Sequence, residues 1–411
     1  MRMSIRTGIA DGRQLYSPAG LAEFSRVPSP EANRPAGPSG LSQTAKRGRR
    51  RPVVKLPRLL GAVALFCTLL ATVAAAQTLD ARKLSGGTAD WDAASDESTI
   101  LEFRIHAKNL MFRDGFAELD RIADEARSQK ARFIGGQWKL EVFYSMLSSP
   151  GPVPASVPDS TWESYIARIH RWIAANPASI TARMVLAKVY VEYAWKARGN
   201  GYSNTVTPEG RKAFNARIAQ AKTVLDDAAK LPAKCPQYYL TSLLVAMAQE
   251  WSRPRVDALL EEAVAFEPGY FYDYVTYFNY LLPKWYGDDG EALAFADGLA
   301  DELDSPQGDF VYFIMAATYA VNPLGRFTDV PLPAMSWDRI KQGFAATAEL
   351  YGVNSNQLNL FAYMALQVND TKAAQQVFGV IGDNYDQTVW GSKAAFDKAK
   401  ASVQSPAREA R

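Results

Sequence analysis

The sequence predicts an all-α fold, arranged as a degenerate tetratricopeptide-like helical-repeat array in the form of an α-α superhelix. Apolar residues from position 98 onward recur at the three- and four-residue spacing of one helix face, as in Ile100, Phe103, Ala107 and Leu110. No run of alternating β-branched residues bounded by turns is found, so no strand is predicted. Helix pairs that recur along the chain favour the solenoid class.

The most regular repeat unit covers residues 358–382. Ala365 lies on its first helix, Asn369 and Asp370 form the turn, and Phe378 lies on the second helix. Small residues recur where two helices approach closely, and large ones where they fill the groove between them. We therefore expect Phe378 to be buried between the two helices of this pair.

Two further units match the repeat pattern less well. Residues 240–268 form a looser pair, because the bulky Leu244 occupies a position where the pattern has a small residue. Residues 184–199 match a first helix through Ala187 and Tyr190, but the loop GNGYSNTVTPEG separates this helix from the next one. The array is therefore expected to be irregular.

The amino-terminal part of the chain has the order of a secretory signal. A basic stretch ends at Arg58, an apolar run of 15 residues follows at 59–73, and the small residues Ala74 and Ala76 precede a polar chain. The run is too short to span a bilayer comfortably. We expect cleavage after Ala76, export to the periplasm or the medium, and no stable membrane insertion after cleavage.

The basic surplus of the chain lies in this signal. The whole chain has 46 Lys and Arg residues against 43 Asp and Glu, a formal charge of +3. Residues 1–76 hold 12 of the basic and 3 of the acidic residues, which leaves 34 basic against 40 acidic residues and a net charge of −6. A negatively charged mature chain lacks the basic surplus typical of nucleic-acid binding, so no nucleic-acid partner is expected.

The first 50 residues do not resemble the start of a signal, because a Ser-, Pro- and Gly-rich lead precedes the basic stretch. Our hypothesis is that translation begins near Val53 or Val54, read as an alternative start codon. Peptide mapping of the unprocessed precursor tests this, since peptides from residues 1–40 would contradict it.

Composition divides the chain into six segments. They are a lead with the secretory signal at 1–76, a flexible lead at 77–97, amino-terminal helices at 98–147, a proline-rich connector at 148–161, the helical-repeat region at 162–400 and a polar tail at 401–411.

Cys235 is the single cysteine of the mature chain, because Cys67 lies in the signal. A lone thiol forms neither an internal disulfide nor a cysteine metal cluster, so the fold depends on its apolar core. The sequence KCPQYYL places Cys235 at the start of a helix, where we expect its thiol to be partly accessible.

The segment LLPKWYGDDGEALAFADGLADEL, residues 281–303, has two interpretations. As a turn, it would use Pro283 to end one helix and Asp288 or Asp289 to cap the next, with Glu291 at the positive helix terminus. As an active site, the same three acidic residues would form a carboxylate cluster. We favour the turn, because helix caps are far commoner than acid–base pairs.

The helix before this turn, GYFYDYVTYFNYLL, has aromatic side chains on all sides. One interpretation is burial between neighbouring helices. The other is a binding surface for an extended peptide or a sugar chain, because tyrosine is favoured at wet interfaces. The candidate ligand-binding residues are Tyr270, Tyr274, Tyr277 and Trp285 near this helix, and Trp195, Arg198 and Tyr202 beside the long loop.

Motifs for metal, nucleotide or nucleophilic chemistry are missing from the sequence. Its two histidines, His106 and His170, do not have the spacing of a metal-binding pair. It has no HExxH, CxxC, G-x-S-x-G, Walker loop or dinucleotide fingerprint. No metal, cofactor or catalytic residue is predicted. Enzyme activity is left open, and a binding function is favoured over it.

Three segments carry a family resemblance: RFIGGQWKLEVFY at 132–144, WKARGNGYSNTVTPEG at 195–210 and LLPKWYGDDGEALAFA at 281–296. Over roughly residues 100–390 the chain resembles the uncharacterised bacterial family called domain of unknown function 4034. Its members are exported or membrane-associated helical proteins similar to tetratricopeptide arrays. The resemblance implies a helical-repeat fold and brings no activity, cofactor or catalytic residue.

The predicted function is an exported scaffold that binds a protein or peptide on a helical-repeat surface. The alternative is a hydrolase or lyase that acts on cell-envelope polymer with Asp288, Asp289 and Glu291 at an aromatic groove. An envelope protein with no small ligand also stays open. Geometry separates the first two, because capping carboxylates lie beside backbone amides whereas catalytic carboxylates face one cleft.

Overall fold

The computed structural model describes residues 93–199, 203–319 and 331–404. These residues form 16 α-helices and no β-strand, so the predicted all-α class is confirmed. No helix among them has the length and apolar character that crossing a bilayer requires. The predicted signal at 1–76 lies outside the described residues.

The helices follow one another through short connections. In chain order they are α1 (Ala93–Phe112), α2 (Phe116–Ser128), α3 (Lys139–Leu147), α4 (Asp159–Ala175), α5 (Ile180–Arg198), α6 (Pro208–Ala229), α7 (Pro236–Ala248), α8 (Arg253–Phe266), α9 (Tyr272–Tyr280), α10 (Glu291–Glu302), α11 (Gln307–Tyr319), α12 (Trp337–Tyr351), α13 (Ser355–Gln367), α14 (Thr371–Ile381), α15 (Gln387–Trp390) and α16 (Lys393–Gln404).

Consecutive helices pack against each other in pairs. The most extensive contacts join α5 with α6, α11 with α12, and α13 with α14, and α7 also packs against α8. The pairs α5/α6, α7/α8 and α13/α14 correspond to the three repeat units expected from the sequence. A tetratricopeptide-like arrangement of these pairs and the course of a superhelix through them stay predictions.

The buried side chains form two large hydrophobic clusters that meet at α7. Leu240 and Leu243 belong to the cluster that extends to α16, whereas Leu244 and Val245 belong to the cluster that extends back to α1. A helix contributes to two cores when it is apolar on opposite faces, and α7 is buried along most of its length. The two clusters are therefore joined through one helix.

The loop at 132–138 also joins the two halves of the chain. The Gly135 N–H donates to the Gly352 carbonyl at 3.1 Å, and the Gln357 side-chain amide donates to the Gly135 carbonyl at 2.9 Å. Gly136 has a φ of 83°, and a Cβ there would lie 2.8 Å from an aromatic ring. Glycine is required here because the backbone is left-handed and closely packed.

Helix α1 contacts α13, far along the chain. In an open solenoid each repeat contacts only its neighbours. The contact between these distant helices, together with the glycine loop, gives the described chain long-range links that a simple repeat array does not have.

Candidate functional site

The turn between α9 and α10 differs from the predicted cap. Helix α10 begins at Glu291 as expected, but its N-cap position is occupied by Gly290, with a φ of 79° and no side-chain cap. Asp288 and Asp289 are exposed. Asp288 lies two residues before the N-cap position, and Asp289 lies one residue before it. The prediction that one of them caps α10 is wrong, because a capping side chain must come from the N-cap residue itself.

Glu291 connects this turn to α8. One of its carboxylate oxygens accepts a hydrogen bond from the Asp288 N–H at 3.0 Å, and the other accepts one from the Arg253 guanidinium at 2.7 Å. Arg253 also pairs with Asp257 at 2.7 Å. A carboxylate beside a backbone amide at a helix start is the geometry expected of a structural turn.

The tyrosines of the aromatic helix are buried. Tyr270, Tyr274 and Tyr277 are each at most 1% exposed, and Trp285 is 6% exposed. The hydroxyl of Tyr274 donates to the Pro268 carbonyl at 3.0 Å. These side chains form no open binding surface, and the burial interpretation of this helix is confirmed.

A buried polar network surrounds Tyr270. Its hydroxyl lies 3.1 Å from a carboxylate oxygen of Glu141 and 2.9 Å from the side-chain oxygen of Gln237. Glu141 also accepts hydrogen bonds from Ser145 and from Lys188, both at 2.5 Å, and the Lys188 ammonium lies 3.1 Å from the Ser145 hydroxyl. The network joins α3, α5, α7 and Tyr270, which lies two positions before α9.

This network was not predicted from the sequence. A serine beside a lysine and a carboxylate resembles the arrangement of an activated nucleophile. Glu141, however, accepts from three donors and forms an ion pair with Lys188, so the carboxylate and the ammonium neutralise each other. The arrangement satisfies buried charges at the boundary of the two cores. The sequence signal for it was the acidic Glu141 between the apolar neighbours Leu140 and Val142 in KLEVFYSML.

Helix α9 carries a further polar face inside the core. Asp273, Thr276 and Asn279 are each 2% exposed, and each has a side-chain oxygen without a hydrogen-bond partner within the described residues. Burial, with the nearby charge of Glu141, raises the pKa of Asp273 well above its usual range. Such oxygens are costly in a core, because buried polar groups are normally hydrogen-bonded.

The structure brings members of the two candidate groups together. The ring of Trp285 packs edge-on against Trp195, with centroids 6.3 Å apart, and Phe214 packs against Trp195 at 5.1 Å. The Arg198 guanidinium lies over the Trp195 ring at 5.3 Å. Tyr202, the remaining member of the second group, lies outside the described residues.

An open cleft of 310 Å³ lies along α6. Its lining residues are Asn215, Ile218, Ala248, Gln249 and Glu250. They come from α6, from the last residue of α7 and from the turn between α7 and α8, so the cleft lies where two helix pairs meet. Sequence reasoning missed it, because surface amides have no distinctive pattern.

The cleft and the aromatic cluster are adjacent. Phe214 directly precedes Asn215 on α6. On the other wall, the Tyr286 hydroxyl donates to the carbonyl of Met247 at 2.6 Å, directly before Ala248. Trp195 is half-buried. We therefore define the candidate site as the cleft together with Trp195 and Arg198.

The remaining sequence candidates lie elsewhere. His106 and His170 are exposed, and the described part of the chain holds no group of three or more His, Cys, Asp or Glu residues able to bind a metal ion. Cys235 is the N-cap residue of α7, but it is only 1% exposed, with its sulfur 3.4 Å from the Tyr144 hydroxyl. The expected partial accessibility of this thiol is wrong, because α3 covers it.

Comparison with protein-family models, curated proteins and solved structures finds no match to this chain. The resemblance to domain of unknown function 4034 therefore stays a prediction.

Proposed function

We propose that this protein is an exported interaction scaffold that binds an extended peptide segment of a partner protein at the candidate site. The observation that carries the proposal is the position of the cleft between α6 and the α7/α8 pair, where the lining residue Asn215 directly follows Phe214, a ring contact of Trp195. Helical arrays use surfaces that several repeats form together to bind extended ligands. Export is proposed on the basis of the signal-like sequence at 1–76.

The chemistry of the cleft suits a peptide backbone. Asn215 and Gln249 are exposed amides, and each can both donate and accept a hydrogen bond, as a peptide group does. Gln249 is oriented by the indole N–H of Trp251, which donates to its side-chain oxygen at 3.0 Å. Ile218 supplies an apolar wall.

The size of the cleft favours a segment over a folded domain. Its volume of 310 Å³ lies at the lower end of the range of about 300–1,000 Å³ for ligand sites. A cleft of this volume accommodates a few side chains, and the rest of a bound segment would extend across the surfaces of the neighbouring helices.

The test uses the exported full chain and an array of short peptides. Peptides that bind the parent are measured again with the double variant Asn215→Ala and Gln249→Ala. We expect a loss of about tenfold or more in affinity, because two hydrogen bonds to the peptide disappear. The matched control, Gln220→Ala with Gln375→Ala, removes two exposed amides from other positions and should bind like the parent.

Equal affinity of the parent and the Asn215/Gln249 variant would show that the cleft is not the binding site. An array without any bound peptide, together with turnover of cell-envelope polymer by the parent, would support the hydrolase or lyase alternative instead.

A further inference from the structure

Helix α1 is apolar on two faces. Its inner face includes Ala107 and Met111, which are fully buried in the amino-terminal hydrophobic cluster. Its outer face includes Leu101, Ile105 and Phe112, which are 46%, 49% and 48% exposed. These are three of the five large hydrophobic side chains that are exposed in the described part of the chain. A helix that is apolar on all sides is normally buried on all sides, so the outer face indicates a further contact.

The exposed side chains form one stripe along the helix. At about 100° per residue, positions 101, 105 and 112 lie within about 40° of one another around the helix axis. At about 1.5 Å per residue, the stripe extends over roughly 16 Å. Lys108 borders the stripe, but its ammonium donates to the Met146 carbonyl on α3 at 3.0 Å. Its charge is therefore directed toward α3, and its aliphatic stem extends the apolar surface.

The carboxyl end of the stripe is held in place by its neighbours. The Phe112 ring packs against the Tyr165 ring, with centroids 6.1 Å apart, and the Lys108 ammonium lies 5.6 Å from the Phe112 centroid. The Tyr165 hydroxyl in turn donates to the Leu147 carbonyl at 3.0 Å. An apolar surface that is already ordered loses less conformational entropy when a partner binds.

Two opposite charges lie on one flank of the stripe. Glu102 and Arg113 are both exposed, and both lie about 80–100° from the middle of the stripe, in the same direction around the helix. Arg113 donates to the Asn109 carbonyl of its own helix at 3.2 Å. Neither side chain forms an ion pair within the described residues. The acidic residue lies toward the amino end of α1 and the basic residue toward its carboxyl end.

This order of charges is complementary to itself when two copies of α1 are antiparallel. A two-fold axis near position 107 places Leu101 opposite Phe112 of the second copy, and Glu102 opposite its Arg113, because each pair lies five and six positions from that point. A two-fold axis perpendicular to both helices keeps the two charged flanks on the same side. Each copy therefore contributes the same patch, as an isologous interface requires.

We propose that α1 is a homodimer interface, in which two copies pack antiparallel through Leu101, Ile105 and Phe112 and form two reciprocal Glu102–Arg113 ion pairs. The inference goes beyond the proposed function, since the cleft residues lie on α6 and at the α7–α8 turn. A membrane surface is a poorer partner, because helices that lie on membranes have polar faces rich in Lys and Arg, whereas this flank carries an acidic residue. The dimer presents two copies of the cleft.

The first experiment measures self-association of the exported full chain by sedimentation equilibrium over about 1–100 μM. We expect a monomer–dimer equilibrium in the parent. Leu101→Gln with Ile105→Gln should raise the dissociation constant of the dimer about tenfold or more, because it removes apolar contacts at the interface. The control Phe266→Gln changes an exposed aromatic side chain on α8 and should dimerise like the parent. Circular dichroism compares the fold of both variants with the parent.

The second experiment tests the antiparallel register by exchanging charges. Glu102→Arg alone places Arg opposite Arg, and Arg113→Glu alone places Glu opposite Glu, so each single variant should dimerise about threefold or more weakly than the parent. An equimolar mixture of the two single variants should regain the affinity of the parent, because every Arg in the mixed dimer faces a Glu. The double variant Glu102→Arg with Arg113→Glu should regain it too. High salt should reduce these differences.

Three outcomes would overturn the inference. The first is a parent that stays monomeric over the whole concentration range. The second is a parent dimer that Leu101→Gln with Ile105→Gln leaves unchanged, which would place the interface elsewhere. The third is a mixture of the single charge variants that dimerises no better than either alone, which would exclude the antiparallel pairing. A monomeric parent that binds phosphatidylcholine vesicles through Leu101 and Ile105 would assign the face to a membrane instead.

Discussion

The α13–α14 pair and the α9–α10 turn both have acidic or amide residues before a helix, yet the sequence placed the turn of the first correctly and predicted the wrong cap in the second. In α13–α14, the side chains that cap the helices accept from backbone amides only three residues away, in addition to more distant bonds. In α9–α10, the side chains that fix the turn bond to other helices. The difference shows that an acidic residue before a helix predicts a cap correctly only when the backbone places that residue at the N-cap position.

Local hydrogen bonds cap the starts of α13 and α14. Asn354 and Gln357 form a capping box at the start of α13. Asn369 takes a left-handed φ of 58° in the turn, and the Asp370 carboxylate accepts from the Ala373 N–H at 3.0 Å. Each of these bonds spans three residues, so the sequence contains both partners side by side.

Long-range contacts organise the α9–α10 turn. Tyr286 bonds to the Met247 carbonyl, 39 residues earlier, and Glu291 pairs with Arg253, 38 residues earlier. Gly290 replaces a side-chain cap. The acidic residues in GDDGE therefore gave a misleading local signal.

The largest expected effect is the replacement of Phe378 by alanine. Phe378 is fully buried, with ring contacts to Trp390 at 5.7 Å and Phe396 at 5.6 Å. Phe378→Ala should lower the free energy of unfolding by about 3–5 kcal/mol, measured by chemical denaturation with circular dichroism. Gln375→Ala, an exposed change on the same helix, is the control. An unchanged midpoint for Phe378→Ala would contradict the packing of this pair.

The second prediction concerns Asp273 on the buried polar face of α9, the helix before the α9–α10 turn. The pKa of Asp273 is raised above its ordinary value of 3.8, so the folded state holds its proton more tightly than the unfolded state. This contribution to stability is fully present below pH 3.8 and is lost as pH rises toward the folded pKa. Asp273→Asn replaces the carboxyl group with an amide, which does not titrate.

The parent should therefore lose stability relative to Asp273→Asn as pH rises above about 4, because ionisation of the buried carboxyl group favours the unfolded state. Denaturation midpoints of the two proteins across pH measure this difference. Asp383→Asn changes an exposed carboxylate and serves as control. Parallel midpoints for the parent and Asp273→Asn would contradict the raised pKa.

The smallest expected effects on stability come from removing acidic side chains before α14 and before α10. Asp370→Ala should cost about 0.5–2 kcal/mol, because it removes the acceptor of the Ala373 N–H. Asp288→Ala with Asp289→Ala should change stability by less than about 0.5 kcal/mol, because neither side chain caps α10. Thermal melting of both variants against the parent tests the pair. A cost at Asp288 and Asp289 equal to that at Asp370 would restore the cap interpretation.

Part of the candidate site was predictable. Its residues Trp195 and Arg198, and Trp285 that contacts Trp195, were selected from the sequence because large aromatic and cationic side chains stand beside long connections. Their mutual approach was not predictable, because Trp195 and Trp285 are separated by 90 positions and meet only through helix packing. The cleft residues Asn215 and Gln249 have no sequence signal of their own, since many exposed amides have no role.

The sequence by itself determined the all-α class, the positions of the three helix pairs and the burial of Phe378, because helical periodicity and short-range caps are properties of neighbouring residues. Tertiary structure decided which polar groups are buried, which acidic residues bond to the backbone and where the cleft lies. Tyr270 illustrates the limit: its buried bond to Glu141 joins residues 129 positions apart. Such bonds form only after distant helices pack, and no local pattern encodes the partner.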